Sequence, residues 1–485
     1  MAKNMKFHKV TLTLLWIYCL GFLLTPVPLA EARVSVTEEW RRTYNGPFNY
    51  GDSAIAVAAD SAGNVCVTGA CVSPYDLDFA TIKYSSEGVL LWQARYNWDV
   101  DLPKAIAVDG SCNVYVTGKS DSPSGAVPEE RLVTIKYNSI DGSVLWQREV
   151  HNDYNQYDRV VGMALDSSGN VYVTCNLNLT YAGFDGSQIL MIKYGPDGDT
   201  IWERRIGTGI QEYIAYAMTL DSHDNVCVTG VRRDQDEYFV FRYSTNGVFQ
   251  WERGDSAGTV YPTAIEADGS NNLYIFGSYW DGSKSSYYML KLDSEGNTIW
   301  ASLKDPEAQN LVNPVDMKVD AAGNVYATGY ADSAHSESDY YTLKYNTAGE
   351  LQWAFRYTAP GATSSRAMRL ALDQHANVYV TGTADLSSFS AIATVSYDPA
   401  GVLRWEAMGG SVPGRPTRLP STPKEKGIVK RFGRAADLVL DLSGKVFVAG
   451  GVRSGSESWN TEDFLTIKYQ QGIRKPGKPI PPPLP

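Results

Sequence analysis

The chain has 485 residues, of which 44% are hydrophobic and 12% aromatic, so it can bury a large core rather than remain disordered. Its formal net charge is −11, and an acidic surface of that size argues against general nucleic-acid binding. The 31 tyrosines and 43 glycines favour β structure with many turns.

Residues 1–32 have the pattern of a secretory signal peptide. Three lysines precede an apolar run, TLTLLWIYCLGFLL, and Ala30-Glu31-Ala32 fits the small-x-small rule for cleavage after Ala32. The alternative is an uncleaved membrane anchor, although the run is short for a span of about 20 residues. The segment carries three lysines and one glutamate, a net +2, so the rest of the chain carries −13. We therefore predict a secreted or periplasmic protein with no membrane span after cleavage.

An eightfold repeat follows this leader. Its first landmark is a ten-residue tract: DSAGNVCVTG (60–69), DGSCNVYVTG (109–118), DSSGNVYVTC (166–175), DSHDNVCVTG (221–230), DGSNNLYIFG (268–277), DAAGNVYATG (320–329), DQHANVYVTG (373–382) and DLSGKVFVAG (441–450). The second landmark is a strand such as TIKY, and the third is a Trp eight or nine residues later. The last unit lacks a Trp after Tyr469, and Trp40 near the N-terminus supplies the eighth.

Each unit predicts four antiparallel strands, A to D. An apolar stretch before the Asp is strand A, and Asp-x-x-Gly-Asn is a turn because Asp and Asn bond local backbone while Gly allows positive φ. Alternating β-branched residues follow as strands B and C, and the Trp segment is strand D. We predict an all-β fold over 33–470, a single eight-bladed β-propeller of four-stranded blades.

The segment with Trp40 is predicted to be the outer strand of the eighth blade. The ring would then be closed by the N-terminal strand, which removes open sheet edges. The alternative is that Trp40 is a chance match and that the last blade has three strands. We expect a monomer.

The repeat resembles SBBP-type bacterial β-propeller repeats, through GNVYVTG, the following DF-x-TIKY and G-x-x-x-W. The resemblance covers roughly residues 36–470 and implies an architecture common in exported bacterial proteins, without implying an activity. A weaker likeness exists to eight-bladed quinoprotein dehydrogenases and an outer-membrane assembly scaffold, which also carry Gly before the Trp, as in DGDTIW (197–202).

Loop lengths distinguish the two faces of the predicted propeller. The A–B and C–D turns are nearly constant, whereas the D–A connection ranges from 17 residues between Trp92 and Asp109 to 36 between Trp405 and Asp441. Variable loops on a rigid scaffold are where binding residues concentrate. The three tryptophans outside the repeat position lie in B–C or D–A connections, each with an acidic neighbour, which suits carbohydrate stacking or a protein hot spot. The predicted binding residues are Trp98, Asp99, Trp280, Asp281, Trp459 and Glu457.

The simpler alternative is that each Trp only covers its own loop. Residues 411–434 form a basic, Pro-containing insertion with seven Lys or Arg and one acid, Glu425. This insertion is either a solvated loop or a dock for an acidic partner. The Pro-rich tail, 471–485, is expected to be disordered or polyproline-like.

The sequence predicts no catalytic residues and no metal or cofactor site. P-loop and His-pair motifs do not occur, and one Asp per turn is too few for calcium. Five cysteines follow the leader, and a Cys66–Cys71 or Cys66–Cys112 bridge is left open.

We favour a non-catalytic binding or scaffold module for an extracellular or envelope protein or polysaccharide. The alternative is a propeller enzyme that acts on glycans or a quinone-dependent dehydrogenase, although no Cys-Cys pair occurs.

Overall fold

The structure is a computed structural model. It describes residues 34–48, 50–74, 76–122, 129–152, 159–181, 184–207, 212–235, 237–255, 259–306, 311–332, 337–387, 389–409, 432–453 and 462–473. The predicted leader, most of the basic insertion and most of the Pro-rich tail lie outside these ranges. Among the described residues, no helix is long and apolar enough to span a membrane.

The described residues form 32 strands and one short 3₁₀ helix, Arg233–Gln235. The first sixteen strands are β1 (Val34–Tyr44), β2 (Asp52–Ala59), β3 (Val65–Val72), β4 (Leu77–Tyr84), β5 (Leu90–Tyr96), β6 (Val100–Val108), β7 (Val114–Ser122), β8 (Glu129–Tyr137), β9 (Val144–Asn152), β10 (Arg159–Leu165), β11 (Val171–Tyr181), β12 (Phe184–Tyr194), β13 (Thr200–Ile206), β14 (Tyr213–Leu220), β15 (Val226–Arg232) and β16 (Glu237–Tyr243). The others are β17 (Phe249–Asp255), β18 (Thr259–Ala267), β19 (Leu273–Trp280), β20 (Ser285–Leu292), β21 (Thr298–Lys304), β22 (Val312–Val319), β23 (Val325–Ala331), β24 (Asp339–Tyr345), β25 (Leu351–Tyr357), β26 (Ala362–Leu372), β27 (Val378–Leu386), β28 (Phe389–Tyr397), β29 (Leu403–Gly409), β30 (Phe432–Leu440), β31 (Val446–Arg453) and β32 (Glu462–Ile473).

The strands pair in sets of four, as the repeat predicts. Units 1 and 2 are β2–β5 and β6–β9, which a single parallel bridge between Leu77 and Val100 links into one sheet. Units 3 to 7 are the separate sheets β10–β13, β14–β17, β18–β21, β22–β25 and β26–β29. Unit 8 is the sheet β30–β31–β32–β1.

The N-terminal strand is the fourth strand of unit 8. β1 runs antiparallel to β32, with a register from Val34 opposite Ile473 to Tyr44 opposite Phe464. This pairing gives the edge of β32 a partner, so the first and last described strands of the chain share one sheet.

The core lies between consecutive units. The cluster between units 2 and 3 includes Trp146 and Val171, and the cluster between units 8 and 1 includes Trp40, Phe447 and Val67. Because burial of one such side chain stabilises by about 1.5–3 kcal/mol, these clusters hold adjacent units together. The repeat Trp is buried in five units, at Trp40, Trp92, Trp146, Trp202 and Trp405.

The first strand of each unit lies on the inside of the assembly. In chain order β2, β6, β10, β14, β18, β22, β26 and β30 each contact the next, and β30 also contacts β2. Every one of these inner strands has a bulge in its pairing with the second strand of its unit. A bulge twists the strand and turns an extra side chain to one side of the sheet.

The repeated Asp forms the A–B turn. The Oδ1 atom of Asp60 accepts hydrogen bonds from the backbone N–H groups of Ala62 (3.0 Å) and Asn64 (2.8 Å), and its Oδ2 accepts one from the Asn64 amide. The carboxylates of the other units accept the same two backbone bonds: Asp109, Asp166, Asp221, Asp268, Asp320, Asp373 and Asp441. The interpretation of this Asp as a turn residue is therefore confirmed.

The repeated Lys of strand C joins neighbouring units. Lys83 Nζ lies 2.9 Å from the Oδ2 atom of Asp60 in its own unit. It also donates hydrogen bonds to the carbonyl oxygens of Cys112 (3.2 Å) and Ser139 (3.4 Å) in unit 2. Both partners of the ion pair are buried, so loss of either would leave an uncompensated charge. The repeated Lys therefore has a structural role.

Candidate functional site

The loops that differ in length lie at one end of the units. Because consecutive strands are antiparallel, the A–B and C–D turns lie at one end, here called the turn face. The B–C and D–A connections lie at the opposite end, here called the loop face. Trp98 follows β5, and Trp280 ends β19, so both predicted binding tryptophans are on the loop face.

Trp98 is exposed and held by a cation from the next unit. Half of its surface (51%) is exposed, and the Arg131 guanidinium lies 4.0 Å from the centroid of its ring. Arg131 also forms an ion pair of 3.1 Å with Glu149. A cation stacked on an indole fixes the ring while one face and edge remain available.

The carboxylate bonded to the Trp98 backbone is not the adjacent Asp99 but Asp101. The Oδ2 atom of Asp101 accepts a hydrogen bond of 2.8 Å from the Trp98 N–H. Asp101 is completely buried, and this burial raises its pKa to about 6. The Trp98 loop is thus attached to a carboxyl group that titrates near neutral pH.

Trp280 and Asp281 form the second predicted pair. Trp280 is 37% exposed, and its backbone is in register with Thr259 and Ser285 of the adjacent strands. The Oδ1 atom of Asp281 accepts bonds from the backbone N–H groups of Lys284 (2.9 Å) and Ser283 (2.8 Å), which lower its pKa. Asp281 therefore closes the B–C turn and presents Trp280 beside it.

The predicted residues do not form one cluster. Trp98 lies between units 1 and 2 and Trp280 lies in unit 5, and no contact joins them within the described ranges. Glu457 and Trp459, the third predicted pair, lie outside the described residues. The five cysteines from Cys66 to Cys227 are free thiols, so neither bridge left open by the sequence is formed.

Charged side chains on the inner strands were not predicted. The Arg369 guanidinium lies 3.0 Å from the Oδ1 atom of Asp437 in the next unit. The Oδ2 atom of Asp437 accepts a hydrogen bond of 2.9 Å from the backbone N–H of Val57, in unit 1. Lys318 forms an ion pair with Glu266 of the preceding unit. These groups connect units 5 and 6 and units 7, 8 and 1.

A sequence signal for these residues exists at one repeat position. The position four residues before the turn Asp is Ala or Gly in units 1 to 5, but Asp316, Arg369 and Asp437 in units 6 to 8. Burial raises the pKa values of Glu266 and Asp437 despite their cationic partners. Their oxygens accept bonds from Lys318, Arg369 or backbone N–H groups, so this convergence of charge is a set of contacts between units.

Solved structures and curated proteins with similar features are distant in sequence. The crystal structure of Chaetomium thermophilum Sqt1 matches with a TM-score of 0.53 and 10% identity, covering 88% of this chain and 98% of that chain. Sqt1 bound to the N-terminus of the ribosomal protein L10 matches with a TM-score of 0.50 and 10% identity, covering 87% and 98%. These similarities concern the fold alone.

Among curated proteins, an uncharacterized WD repeat-containing protein, L264 of Acanthamoeba polyphaga mimivirus, is 22% identical over 427 residues. The match covers 68% of this chain and 29% of the viral protein, so the chain spans about a third of its relative's length. No family model matches the chain. WD repeats form β-propellers, in which each blade is a four-stranded sheet. Together with the successive four-stranded sheets, the matches show that the chain is a β-propeller repeat protein.

Proposed function

We propose that the protein is a secreted or periplasmic, closed eight-bladed propeller of SBBP-type repeats. In this proposal, units 1 to 8 are the blades and β1 completes the eighth. Closure is supported by the β1–β32 pairing within unit 8 and by two contacts between units 8 and 1: the hydrogen bond from Val57 to Asp437, and the hydrogen bond of 2.9 Å from the Trp40 indole to the Ser86 carbonyl. The leader sequence supports export.

We further propose that the propeller is a non-catalytic binding or scaffold module that engages an extracellular or envelope protein, or a polysaccharide, through its loop face. One observation carries this proposal: the exposed Trp98 ring is held by Arg131 from the neighbouring unit. Pre-organised aromatic side chains give contact area at a low entropic cost, which is typical of binding hot spots. The solved complex of Sqt1 with a peptide segment of L10 provides a precedent among proteins of similar fold.

The repeated polar residues support binding over catalysis. The turn Asp and the strand-C Lys of a unit bond each other, local backbone and the next unit, as Asp60 and Lys83 do. The inner-strand carboxylates of Asp316 and Asp437 accept backbone N–H groups from adjacent units. These groups hold the scaffold, whereas the variable residues of the loop face are free to differ from unit to unit.

The test compares the two faces of the same protein. The purified chain is immobilised and exposed to envelope and secreted fractions and to a polysaccharide array. The loop-face variant is Trp98→Ala/Trp280→Ala, and the matched turn-face variant is Ile140→Ala/Leu442→Ala, whose original side chains are 83% and 81% exposed. We expect the loop-face variant alone to lose the retained partner. Equal retention by both variants, or chemical turnover of a polysaccharide, would contradict the proposal.

A further inference from the structure

Four cations lie along the inner strands. Arg159 in β10 and Arg434 in β30 stand seven residues before the turn Asp of their units. Lys104 in β6 stands five residues before it, at the bulge, and Arg369 in β26 stands four residues before it. The four cations thus come from units 3, 8, 2 and 7, and their positions along the inner strands differ by at most three residues.

Three of these cations are exposed although they lie on inner strands. Lys104, Arg159 and Arg434 are all exposed. Both faces of an inner strand are flanked by neighbouring units, and inner strands contact each other from unit to unit. An exposed side chain at this position therefore reaches solvent through the central opening of the ring. This step rests on the closed ring proposed above.

The charge at the opening is incompletely compensated. Arg369 pairs with Asp437, but Lys104, Arg159 and Arg434 form no ion pair within the described part of the chain. The inner strands around Lys104 exclude part of its hydration although its side chain reaches solvent, and this desolvation, together with the guanidinium groups of Arg369 and Arg159, lowers the pKa of Lys104. Lys104 and Arg369 belong to units that are not adjacent. Because the charge of Arg369 contributes to the lowered pKa of Lys104, both side chains face the same central opening. Cations that face the same opening favour the binding of an anion there.

In the other half of the opening, units 4 to 6 carry uncharged residues at the positions seven and five residues before the turn Asp, whereas Asp316 lies four residues before it in unit 6. Tyr261 and Asn313 stand seven residues before the turn Asp in units 5 and 6, and Tyr216 stands five residues before it in unit 4. Tyr261 is 47% exposed. A cationic arc thus faces two phenol groups and an amide. Phenol and amide groups can bond main-chain peptide groups, while Lys and Arg bond carboxylates.

We propose that the loop-face end of the central opening binds an acidic peptide segment of a protein partner. Lys104, Arg159 and Arg434 pair with its carboxylates, and Tyr261 and Asn313 contact its main chain. The chain as a whole carries −11, so this attraction is a local property of the opening. The inference deepens the proposed function by giving the chemistry of the partner.

The test measures binding of fluorescein-labelled hexaglutamate to the purified full chain by fluorescence anisotropy at low salt. The variant is Lys104→Glu/Arg159→Glu. The matched control is Arg205→Glu/Lys304→Glu, which makes the same change in charge on outer strands β13 and β21. We expect the first variant to bind at least about tenfold more weakly and the control to change less than about twofold. Binding should also weaken with added salt.

A second variant keeps the test decisive if the double variant has a lowered melting temperature. Arg434→Gln alone should weaken hexaglutamate binding at least about threefold, because it removes one exposed cation. Equal losses in the inner and control pairs, or no loss in either, would overturn the inference. Binding of polygalacturonate that requires Lys104 and Arg159, without binding of hexaglutamate, would overturn it in favour of an acidic polysaccharide. If, in any of these cases, retention of a partner by the immobilised chain still depends on Trp98 and Trp280, the proposed function survives without the inference.

Discussion

The indole N–H of Trp40 donates a hydrogen bond of 2.9 Å to the carbonyl oxygen of Ser86, which joins unit 8 to the C–D turn of unit 1. The equivalent bonds run from Trp92 to Ser139, Trp146 to Pro196, Trp202 to Thr245, Trp251 to Ser294, Trp300 to Thr347 and Trp353 to Pro399. Trp405 differs, because its indole nitrogen is buried and has no acceptor among the described residues. In the other units this acceptor lies in the C–D turn, whereas strands C and D of unit 8 are β32 and β1, the last and first described strands.

This difference predicts unequal costs for the same substitution. Trp146→Phe removes a buried indole and its bond to Pro196, whereas Trp405→Phe removes an indole of similar burial whose N–H has no acceptor. We expect Trp146→Phe to lower the free energy of unfolding by about 1 kcal/mol more than Trp405→Phe. Urea denaturation of both variants measures the difference. Equal losses would show that the indole bond contributes nothing to the contact between units.

The glycine of the C–D turn is predicted to be needed for two reasons. Gly198 has a φ of +85°, and a Cβ atom there would lie 2.8 Å from Cδ2 of Trp146. Gly444 in an A–B turn has a φ of +77° but no atom within 4 Å of such a Cβ. Gly444→Ala should therefore cost about 1–2 kcal/mol from backbone strain alone, and Gly198→Ala should cost at least about 1 kcal/mol more. Thermal melting would contradict this if Gly444→Ala were the more harmful change.

The repeated aspartates predict a loss of stability in acid. Burial alone would raise the pKa of Asp166, but bonds from the Asn170 side chain and backbone, together with the charge of Lys193, outweigh it, so this pKa lies below its ordinary value. A carboxylate with a depressed folded pKa stabilises above pH about 4, and this stabilisation is lost as the pH falls through the folded pKa. Asp166→Asn should cost about 1–2 kcal/mol at pH 7 and less at pH 3. A cost independent of pH in urea titrations would contradict this.

Asp101 predicts the opposite dependence. Its pKa is raised to about 6 by burial, so its contribution to stability is largest below pH about 4 and declines as the pH rises to 6. Asp101→Asn keeps an acceptor for the Trp98 N–H without the buried charge. We expect the variant to be about 1–3 kcal/mol more stable than the parent at pH 8, and the two to converge near pH 4. The contributions of other titrating groups cancel when the unfolding free energies of variant and parent are compared at the same pH. A variant less stable than the parent at pH 8 would therefore contradict this prediction.

The spacing of landmarks in the sequence was sufficient to predict the strands of each unit and the turn residues. The Trp40 segment was assigned to the last unit because it carries the landmark that unit lacks, and β1 does pair with β32. Four A–B turns nevertheless place a residue other than Gly at positive φ: Cys112, Asp224, Asn271 and Ala376. The carboxylate bonds of the turn are the same with or without Gly, which explains why the motif tolerates these residues.

The contacts at the candidate sites could not be predicted to the same extent. Trp98 and Trp280 are exposed as expected, but Arg131 reaches Trp98 from a strand 33 positions further along the chain. The pairing of Arg369 with Asp437, 68 residues apart, depends on how adjacent units are rotated and where their bulges lie. Side chains from different units meet only once the units have packed against each other, and a single repeat contains no information on that geometry.

A designed disulfide between the two ends of the chain tests the closed ring, on which both proposals depend. Thr37 and Gln470 are exposed partners across β1 and β32, so Thr37→Cys/Gln470→Cys, made with Cys112→Ser, should oxidise readily. Peptide mapping should find the bridge, and the melting temperature should rise and fall back on reduction. The control Thr37→Cys/Gly472→Cys is two residues out of register and should not bridge. Equal bridging in both variants, or a bridge that leaves the melting temperature unchanged, would contradict closure of the ring by the N-terminal strand.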